Sequence, residues 1–264
     1  MAPFRAKKRF SQNFLVDQGI AERIVDFLHP DVSDTVFEIG GGQGALTERI
    51  ARSGARVYSF EIDRDLISIL REKVGRYENS TVVGCDFLKV SPGEYTEGKF
   101  KLIGNIPYDI TSPVLDWIVQ NRSSISLAVI TAQLELAERI CASPGGKEWA
   151  PISIFSQFFF DIKMAMHIAP KSFYPPPQVR SAVMIFSPAE KYNIGDWRKF
   201  EGVVRGAFRQ RRKLLRNNLS DLPGISKDDV DNVLEGLGLA ENIRAEQISI
   251  EEFIKLAEAL PNIT

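Results

Sequence analysis

The chain has 264 residues, of which 44% are apolar and 10% aromatic, so it can bury one full core with a smaller one beside it. It contains no run of 18 uncharged apolar residues, and its basic first residues lack the apolar stretch of a signal peptide, which predicts a cytoplasmic protein without a membrane segment. The net charge of −1 does not by itself favour nucleic-acid binding, and the two cysteines and two histidines are too few for a disulfide framework or a metal site.

Short strand-like runs alternate with amphipathic, helix-like runs between residues 35 and 133. The strand candidates are rich in β-branched and aromatic residues and read TVFEI, RVYSFEI, STVVG, FKLIG and SLAVITAQ. This alternation predicts an α/β fold with a mostly parallel sheet and helices on both faces. Two further runs, at 162–168 and 181–187, predict a closing hairpin at one edge of the sheet.

The pattern changes to helices alone after residue 188. Helices are expected over 197–219, 227–237 and 250–260, and the last two begin with the capping-box sequences SKDD and SIEE. The sequence therefore predicts a sheet domain over residues 1–188 and a small all-helical domain over residues 189–264.

Three successive predicted strands end in residues suited to a nucleotide-like ligand. The first runs into the loop GGGQG, where glycines such as Gly40 and Gly42 permit a tight turn and close approach of a ligand to the backbone. The second ends at Glu61, which can accept both hydroxyls of a ribose, and the third at Asp86 beside Phe87, which suit an adenine amine and ring. The spacing fits dinucleotide and S-adenosylmethionine sites equally.

The fourth predicted strand ends in the motif GNIPY and separates these alternatives. An aromatic amine is a poor nucleophile, because its lone pair is delocalised into the ring. The Asn105 side chain and the Ile106 carbonyl can accept its two hydrogens and so aim the lone pair at a methyl group. Pro107 holds the turn extended, and Tyr108 can stack on the base. The motif therefore indicates methyl transfer to an adenine-type amine.

This motif resembles that of amino-group methyltransferases, and other segments resemble the small-subunit rRNA adenine N6-dimethyltransferases, the KsgA family. They are KRFSQNFLVD, EIGGGQGALTE, GNIPYDITSP, SFYPPPQVRSAV, AFRQRRKLLRNNL and RAEQISIEEF, which together span nearly the whole chain. The loop GGGQG and three residues outside it, Ser11, Leu134 and Pro151, depart from the usual family pattern. None of them belongs to the inferred methyl-transfer residues.

The resemblance implies a Rossmann-like, class I S-adenosylmethionine-dependent fold with a C-terminal helical domain that binds rRNA. It implies cofactor contacts at Asn13, Leu15, Gly40, Glu61, Asp86 and Asn105. The target base would be held between Tyr108 and Phe173. The implied reaction transfers methyl groups to two adjacent adenosines near the 3′ end of the small-subunit rRNA, giving N6,N6-dimethyladenosines, with the small ribosomal subunit as partner.

A basic cluster in the predicted helix 197–219 is the expected RNA contact. The apolar residues of this helix form one stripe, into which Arg211 falls, so Arg211 is expected to pair with a buried acceptor. The remaining cations form an adjacent arc suited to phosphate: Arg205, Arg209, Arg212, Lys213 and Arg216.

Three other functions share parts of this pattern. A large-subunit rRNA adenine N6-methyltransferase of the antibiotic-resistance type has the same glycine loop and NIPY motif, but AFRQRRKLLRNNL is closer to the small-subunit family. A non-catalytic RNA-binding assembly factor would have no need of the intact NIPY motif. A dehydrogenase would need a nicotinamide pocket and a proton donor, which no motif supplies. A monomer is expected for an enzyme that docks on a large particle.

Overall fold

The computed structural model describes residues 12–107 and 110–262. Its backbone contacts divide the chain into two compact units. The first, the sheet unit, runs up to Ala137 and includes Phe160–Pro188, and the second, the helical unit, comprises Glu138–Phe159 and the chain from Ala189 onward. The chain passes from the sheet unit to the helical unit after Pro188. Residues 138–159 also lie in the helical unit, because their apolar side chains pack into its core.

The sheet unit contains, in its described residues, one seven-stranded sheet in the order β4-β3-β2-β5-β6-β9-β7. Its strands are β2 (Thr35–Ile39), β3 (Arg56–Glu61), β4 (Ser80–Gly84), β5 (Phe100–Asn105), β6 (Ile125–Gln133), β7 (Phe160–Ile168) and β9 (Ser181–Pro188). The first five are parallel, and β9 pairs antiparallel with both β6 and β7. The predicted Rossmann-like sheet and its edge hairpin are confirmed.

Helices α2 (Thr47–Arg52), α3 (Arg64–Val74) and α4 (Thr111–Gln120) connect successive parallel strands, α1 (Gln18–Leu28) precedes β2, and α5 (Leu134–Ile140) follows β6. Their sequence features explain their position. In α3, Asp63 caps the N-terminus, and Leu66, Leu70 and Val74 are buried on one face at intervals of four residues. A further short ladder joins β1 (Phe14–Leu15) to β8 (Phe173–Tyr174) in antiparallel register.

The helical unit is built from α6 (Pro151–Phe159), α7 (Trp197–Ala207), α8 (Leu215–Leu219), α9 (Lys227–Gly236) and α10 (Ile250–Ala259). Its core includes the buried Trp149, whose Nε1 donates to the Ile248 carbonyl at 2.9 Å. The predicted capping boxes at the starts of α9 and α10 are both present. Within the described residues, none of the helices has the length and hydropathy needed to cross a bilayer.

The predicted single helix over 197–219 is wrong, because the chain leaves the helix after Ala207 and re-enters it at Leu215. The four cations between positions 209 and 213 would repel one another at helical spacing. The buried Asn218 stabilises the break, since its Nδ2 donates to the carbonyls of Ala207 and Gln210. Arg211 is therefore exposed in a loop and not part of an apolar stripe, although its guanidinium does donate to a carbonyl, that of Lys147.

Candidate active site

A cavity of about 290 Å³ lies at the carboxyl ends of β2 to β5, the edge at which ligands bind in open α/β sheets. Every predicted cofactor residue lines it: Asn13, Leu15, Gly40, Glu61, Asp86 and Asn105. Its wall also contains residues that the sequence did not single out as contacts, among them Gln12, Phe14, Ile62 and Leu88. Their neighbours in the chain were marked by motifs, but nothing in the sequence indicated which of these flanking side chains would face the cavity.

The glycine loop follows β2 and forms one wall of the cavity. Gly40 and Gly42 have φ angles of 69° and 55°, in the left-handed region that favours glycine. Gly41 faces a different constraint, because a Cβ atom there would lie 2.1 Å from the Ser59 Oγ and 2.5 Å from the Leu70 Cδ2. The loop thus lies directly against β3 and α3, where no side chain of its own could fit.

Glu61, at the end of β3, ties the glycine loop to the neighbouring strand. Its Oε2 accepts the N–H of Gly42 at 2.9 Å, and its Oε1 accepts the N–H groups of Ile62 and Asp63, each at 2.9 Å. Burial raises the pKa of this carboxyl above its ordinary value, although the three N–H donors oppose that shift. These bonds fix the carboxylate at the cavity wall, where its remaining lone pairs can accept hydroxyl groups.

Glu38 is a second buried carboxyl at the cavity, for which the sequence offered no role. Its Oε2 accepts the hydroxyls of Thr47 and Ser59, at 2.5 and 2.6 Å, and the residue is 1% exposed. Burial raises the pKa of this carboxyl, with smaller opposing effects from the two hydroxyls. It joins β2, α2 and β3 beneath the glycine loop, and the signal that could have revealed it is an acid within an otherwise apolar strand.

Asp86 and Phe87 follow β4 and form an acceptor next to an aromatic ring. The Asp86 Oδ1 caps a short 3₁₀ turn by accepting the Leu88 N–H at 3.1 Å, and no donor in the described residues bonds its Oδ2. The Phe87 ring packs against Trp117 with ring centroids 4.4 Å apart, and the Trp117 Nε1 donates to the Val90 carbonyl. Both Asp86 and Phe87 line the cavity in fixed positions.

Asn105 ends β5 and lines the cavity next to Asn13. The Asn105 Nδ2 donates to the Asn13 carbonyl at 3.1 Å across a separation of 92 residues. Because this bond holds the amide nitrogen, the Oδ1 is the atom left to accept a hydrogen from a ligand. No donor in the described part of the chain bonds the Ile106 carbonyl, which is the second acceptor that the sequence predicted. Pro107 lines the cavity beside Asn105, whereas Ile106 is not among the residues that line it.

The structure places the two predicted stacking residues differently. Tyr108 lies outside the described residues. Phe173 is 4% exposed and packs with Leu15 in the hydrophobic core of the sheet unit, so its ring is not among the residues that line the cavity. The ring that is exposed in this segment is that of Tyr174, at 58%. A stacking role for Phe173 stays a prediction that requires its ring to leave the core.

The predicted RNA-binding cations differ in how far they are already paired. Arg216 binds Asp231 at 2.5 Å, Arg205 binds Glu201 at 2.8 Å, and Lys213 binds Asp221 at 3.4 Å. By contrast, Arg209 and Arg212 are exposed and make no ion pair in the described residues. These two arginines of the loop between α7 and α8 are therefore the members of the cluster most available to a phosphate.

The three departures from the family pattern have separate outcomes. Ser11 lies outside the described residues. Leu134 begins α5, and its N–H donates to the Arg180 carbonyl at 2.9 Å. Pro151 begins α6, at a position where proline is favourable because its missing N–H would have no partner in the helix.

Among the described residues, no group of three or more histidine, cysteine or acidic side chains is arranged to hold a metal ion.

Known proteins of similar sequence match nearly the full length of this chain. A family model described as ribosomal RNA adenine dimethylase matches residues 3–262. A protein from Syntrophotalea carbinolica named ribosomal RNA small subunit methyltransferase A is 40% identical over 260 residues, which is 97% of each chain. A protein of the same name from Clostridium botulinum is 36% identical over 264 residues, covering 98% of this chain and 96% of its own.

Two solved structures are similar over most of the chain. A dimethyladenosine transferase from Plasmodium falciparum superposes with a TM-score of 0.81 at 25% identity, covering 92% of this chain and 95% of its own. The 23S rRNA methyltransferase ErmE superposes with a TM-score of 0.75 at 27% identity, covering 94% of this chain and 99% of its own.

Proposed function

Because the chain belongs to the ribosomal RNA adenine dimethylase family, we propose that it dimethylates the N6 amines of two adjacent adenosines near the 3′ end of the small-subunit rRNA. It is an S-adenosylmethionine-dependent methyltransferase. The observation that carries the proposal is Asn105, whose Nδ2 is held by the Asn13 carbonyl at the cavity wall, leaving Oδ1 as an acceptor for an amine hydrogen.

The residues of the cavity fit S-adenosylmethionine, which supplies an electrophilic methyl group when bound. The Glu61 carboxylate, fixed by three backbone N–H groups, can accept the ribose hydroxyls. Asp86, with an Oδ2 that no described donor bonds, can accept the adenine amine, and Phe87 supplies an apolar wall beside it. The glycine loop lines the cavity with backbone, and the left-handed φ angles of Gly40 and Gly42 favour glycine there.

The chain's own contribution to methyl transfer is to position the amine and stabilise the charge that develops on it. We propose that the Asn105 Oδ1 and the Ile106 carbonyl accept the two amine hydrogens, which localises the nitrogen lone pair without a strong base. We propose that Tyr108 stacks on the base, as the motif predicts, and that Pro107 holds the turn that presents these groups.

RNA binding is proposed to fall chiefly on Arg209 and Arg212, because they are exposed and carry no ion pair in the described residues. Arg205, Lys213 and Arg216 can contribute only after exchanging an acid partner for a phosphate. The proposed substrate is the small ribosomal subunit, so we place the protein in the cytoplasm. We also propose that it acts as a monomer without membrane contact.

The test supplies labelled S-adenosylmethionine with under-methylated small subunits and maps the modified adenosines by mass spectrometry. The parent protein should modify two adjacent adenosines near the 3′ end. Asn105→Ala should bind the methyl donor with little change but lose methyl transfer by on the order of 10²-fold or more. Asn217→Ala, which changes an exposed asparagine on α8, is the matched control and should keep full activity. Near-normal turnover by Asn105→Ala would refute the assigned role.

The superposition on ErmE favours one alternative substrate, the large-subunit rRNA. The same labelled assay with large subunits and with naked 23S rRNA distinguishes the two, since methylation there and not on the small subunit would overturn our proposal. Binding of small subunits without any methyl transfer would instead indicate a non-catalytic assembly factor.

A further inference from the structure

Tyr174 presents an aromatic ring to solvent beside the cavity. Five large apolar side chains are exposed in the described residues, namely Val16, Val32, Ile62, Tyr174 and Val179. Tyr174 is the aromatic one among them, and it makes no ring contact or side-chain hydrogen bond in the described residues. Tyrosine is enriched at recognition surfaces because its ring is apolar and its hydroxyl polar, so an exposed ring at this place is available to stack on a ligand.

The register of the β1–β8 ladder shows which way this ring faces. Tyr174 pairs directly with Phe14, and Leu15 pairs with Phe173. Directly paired residues project from the same face of a ladder, and successive residues project from opposite faces. Phe14 lines the cavity and lies about 3.5 Å from where a Cβ of Gly42 would be, whereas the Leu15–Phe173 pair packs in the core. Tyr174 therefore shares the cavity face of the ladder.

The segment around Tyr174 has the composition of a site for single-stranded nucleic acid. Lys171 and Arg180 are exposed, and neither makes an ion pair in the described residues. There is no acidic residue between positions 170 and 187. Three consecutive prolines, at 175–177, follow the tyrosine and restrict the backbone, so less entropy is lost when the segment binds a ligand. An aromatic ring between two free cations matches the combination of base stacking and phosphate binding.

We propose that Tyr174 stacks on a nucleobase of the substrate RNA that flanks the target adenosine, while Lys171 and Arg180 bind the adjacent phosphates. The inference rests on the proposed function, since it takes the RNA to be the substrate of the cavity. It assigns an RNA-positioning contact to Tyr174, because the ring of Phe173 is buried and that of Tyr174 is on the cavity side. The target adenosine itself remains the ligand of Asn105 and the NIPY motif.

The test compares Tyr174→Ala with Tyr174→Phe, which keeps the ring and removes only the hydroxyl. The substrate is an under-methylated rRNA fragment carrying 2-aminopurine next to the target adenosine. For Tyr174→Ala we expect loss of the fluorescence quenching seen on binding and a rise in KM for RNA of on the order of tenfold, with kcat and affinity for S-adenosylmethionine nearly unchanged. Tyr174→Phe should match the parent, and so should Val32→Ala, a control at an exposed apolar site away from the ladder.

Two results would overturn the inference while leaving the proposed function intact. One is unchanged quenching and KM for Tyr174→Ala in a parent protein that methylates the fragment. The other is a defect on intact small subunits but none on the RNA fragment, which would make Tyr174 a contact for ribosomal protein. If the parent protein quenches the 2-aminopurine but transfers no methyl group, the proposed function fails and the stacking site stands.

Lys171→Ala with Arg180→Ala should reduce the salt dependence of RNA binding, and an unchanged salt slope would refute their phosphate contacts.

Discussion

Asn218 holds the loop between α7 and α8, which carries Arg209 and Arg212. Its replacement should therefore perturb the structure of this loop without changing the charge that the loop carries. Asn218 is 1% exposed, and its Nδ2 donates to the Ala207 carbonyl at 2.7 Å and to the Gln210 carbonyl at 3.1 Å. Asn218→Ala leaves both carbonyls without this donor, at a cost of about 1–1.5 kcal/mol each. The substitution also removes the Oδ1, a buried atom with no partner, so we expect a net loss of about 2 kcal/mol in the free energy of unfolding.

The matched control is Asn217→Ala, one residue earlier on the same helix. Asn217 is exposed, and both substitutions bring the same change in helix propensity. The difference between the two variants in urea denaturation or calorimetry therefore measures the net contribution of the buried Asn218 side chain, in which its two hydrogen bonds are the favourable part. Asn218→Asp should be worse than Asn218→Ala, because a carboxylate offers those carbonyls only another acceptor. Equal stabilities of Asn218→Ala and Asn217→Ala would refute the reasoning.

The same pair of variants tests whether the loop must be held in shape to bind RNA. With the anchor removed, Arg209 and Arg212 keep their charge but lose their fixed spacing, so Asn218→Ala should weaken binding to small subunits severalfold below the Asn217→Ala control. If the two variants bind equally well, charge alone is sufficient and the break between α7 and α8 has no part in recognition.

Three further predictions concern Glu38, Gly41 and the two exposed arginines of the loop between α7 and α8. Burial raises the pKa of Glu38 above its ordinary 4.5. The folded chain therefore holds that proton to higher pH than the unfolded chain, and stability falls as pH rises above about 4.5 toward the folded-state pKa. Between pH 5 and 7, Glu38→Gln should show a smaller fall in the free energy of unfolding than the parent, measured by denaturation of both proteins, and the remaining fall comes from Glu61, whose pKa burial also raises. Gly41→Ala places a methyl group against two side-chain atoms, so it should lower the free energy of unfolding by about 1–3 kcal/mol and reduce the affinity for the cofactor. Calorimetry and titration with the methyl donor would measure both effects, and the control Gly98→Ala, in open space, should change neither. Reversing Arg209 and Arg212 to Glu should weaken subunit binding about tenfold or more without changing affinity for S-adenosylmethionine, and equal loss of both would contradict their role.

The parallel sheet was predictable from the sequence, because each strand is marked by residues that are consecutive in the chain. Each strand is a short run of β-branched and aromatic residues, and the polar residue that ends it comes next in the chain. Since parallel strands end at one edge, the order of the runs was enough to bring Gly40, Glu61, Asp86 and Asn105 to one cavity. The capping boxes of α9 and α10 were predictable for the same reason, because each is completed within four residues.

The errors arose where a distant residue decides the local structure. Periodicity favoured a helix straight through 197–219, but the carbonyls of Ala207 and Gln210 are bonded by Asn218. The helical wheel likewise counted Arg216 as a free cation, whereas Asp231 on α9 binds it. In the segment from Phe173 to Tyr174, alternation shows that one ring is buried and the other exposed, but only the pairing with β1 shows which ring faces the cavity.

Asn105 shows why a motif can name a reaction and still omit half of the site. The sequence identifies an amide at a strand end, and an amide presents one acceptor and two donors to any ligand. The Asn13 carbonyl, 92 residues earlier in the chain, accepts a hydrogen bond from the Asn105 Nδ2. This bond leaves the Oδ1 as the atom that can accept a hydrogen from an amine. The chemistry of the motif therefore depends on the N-terminal segment before β1, and a change at that segment can misdirect Asn105 without touching the motif itself.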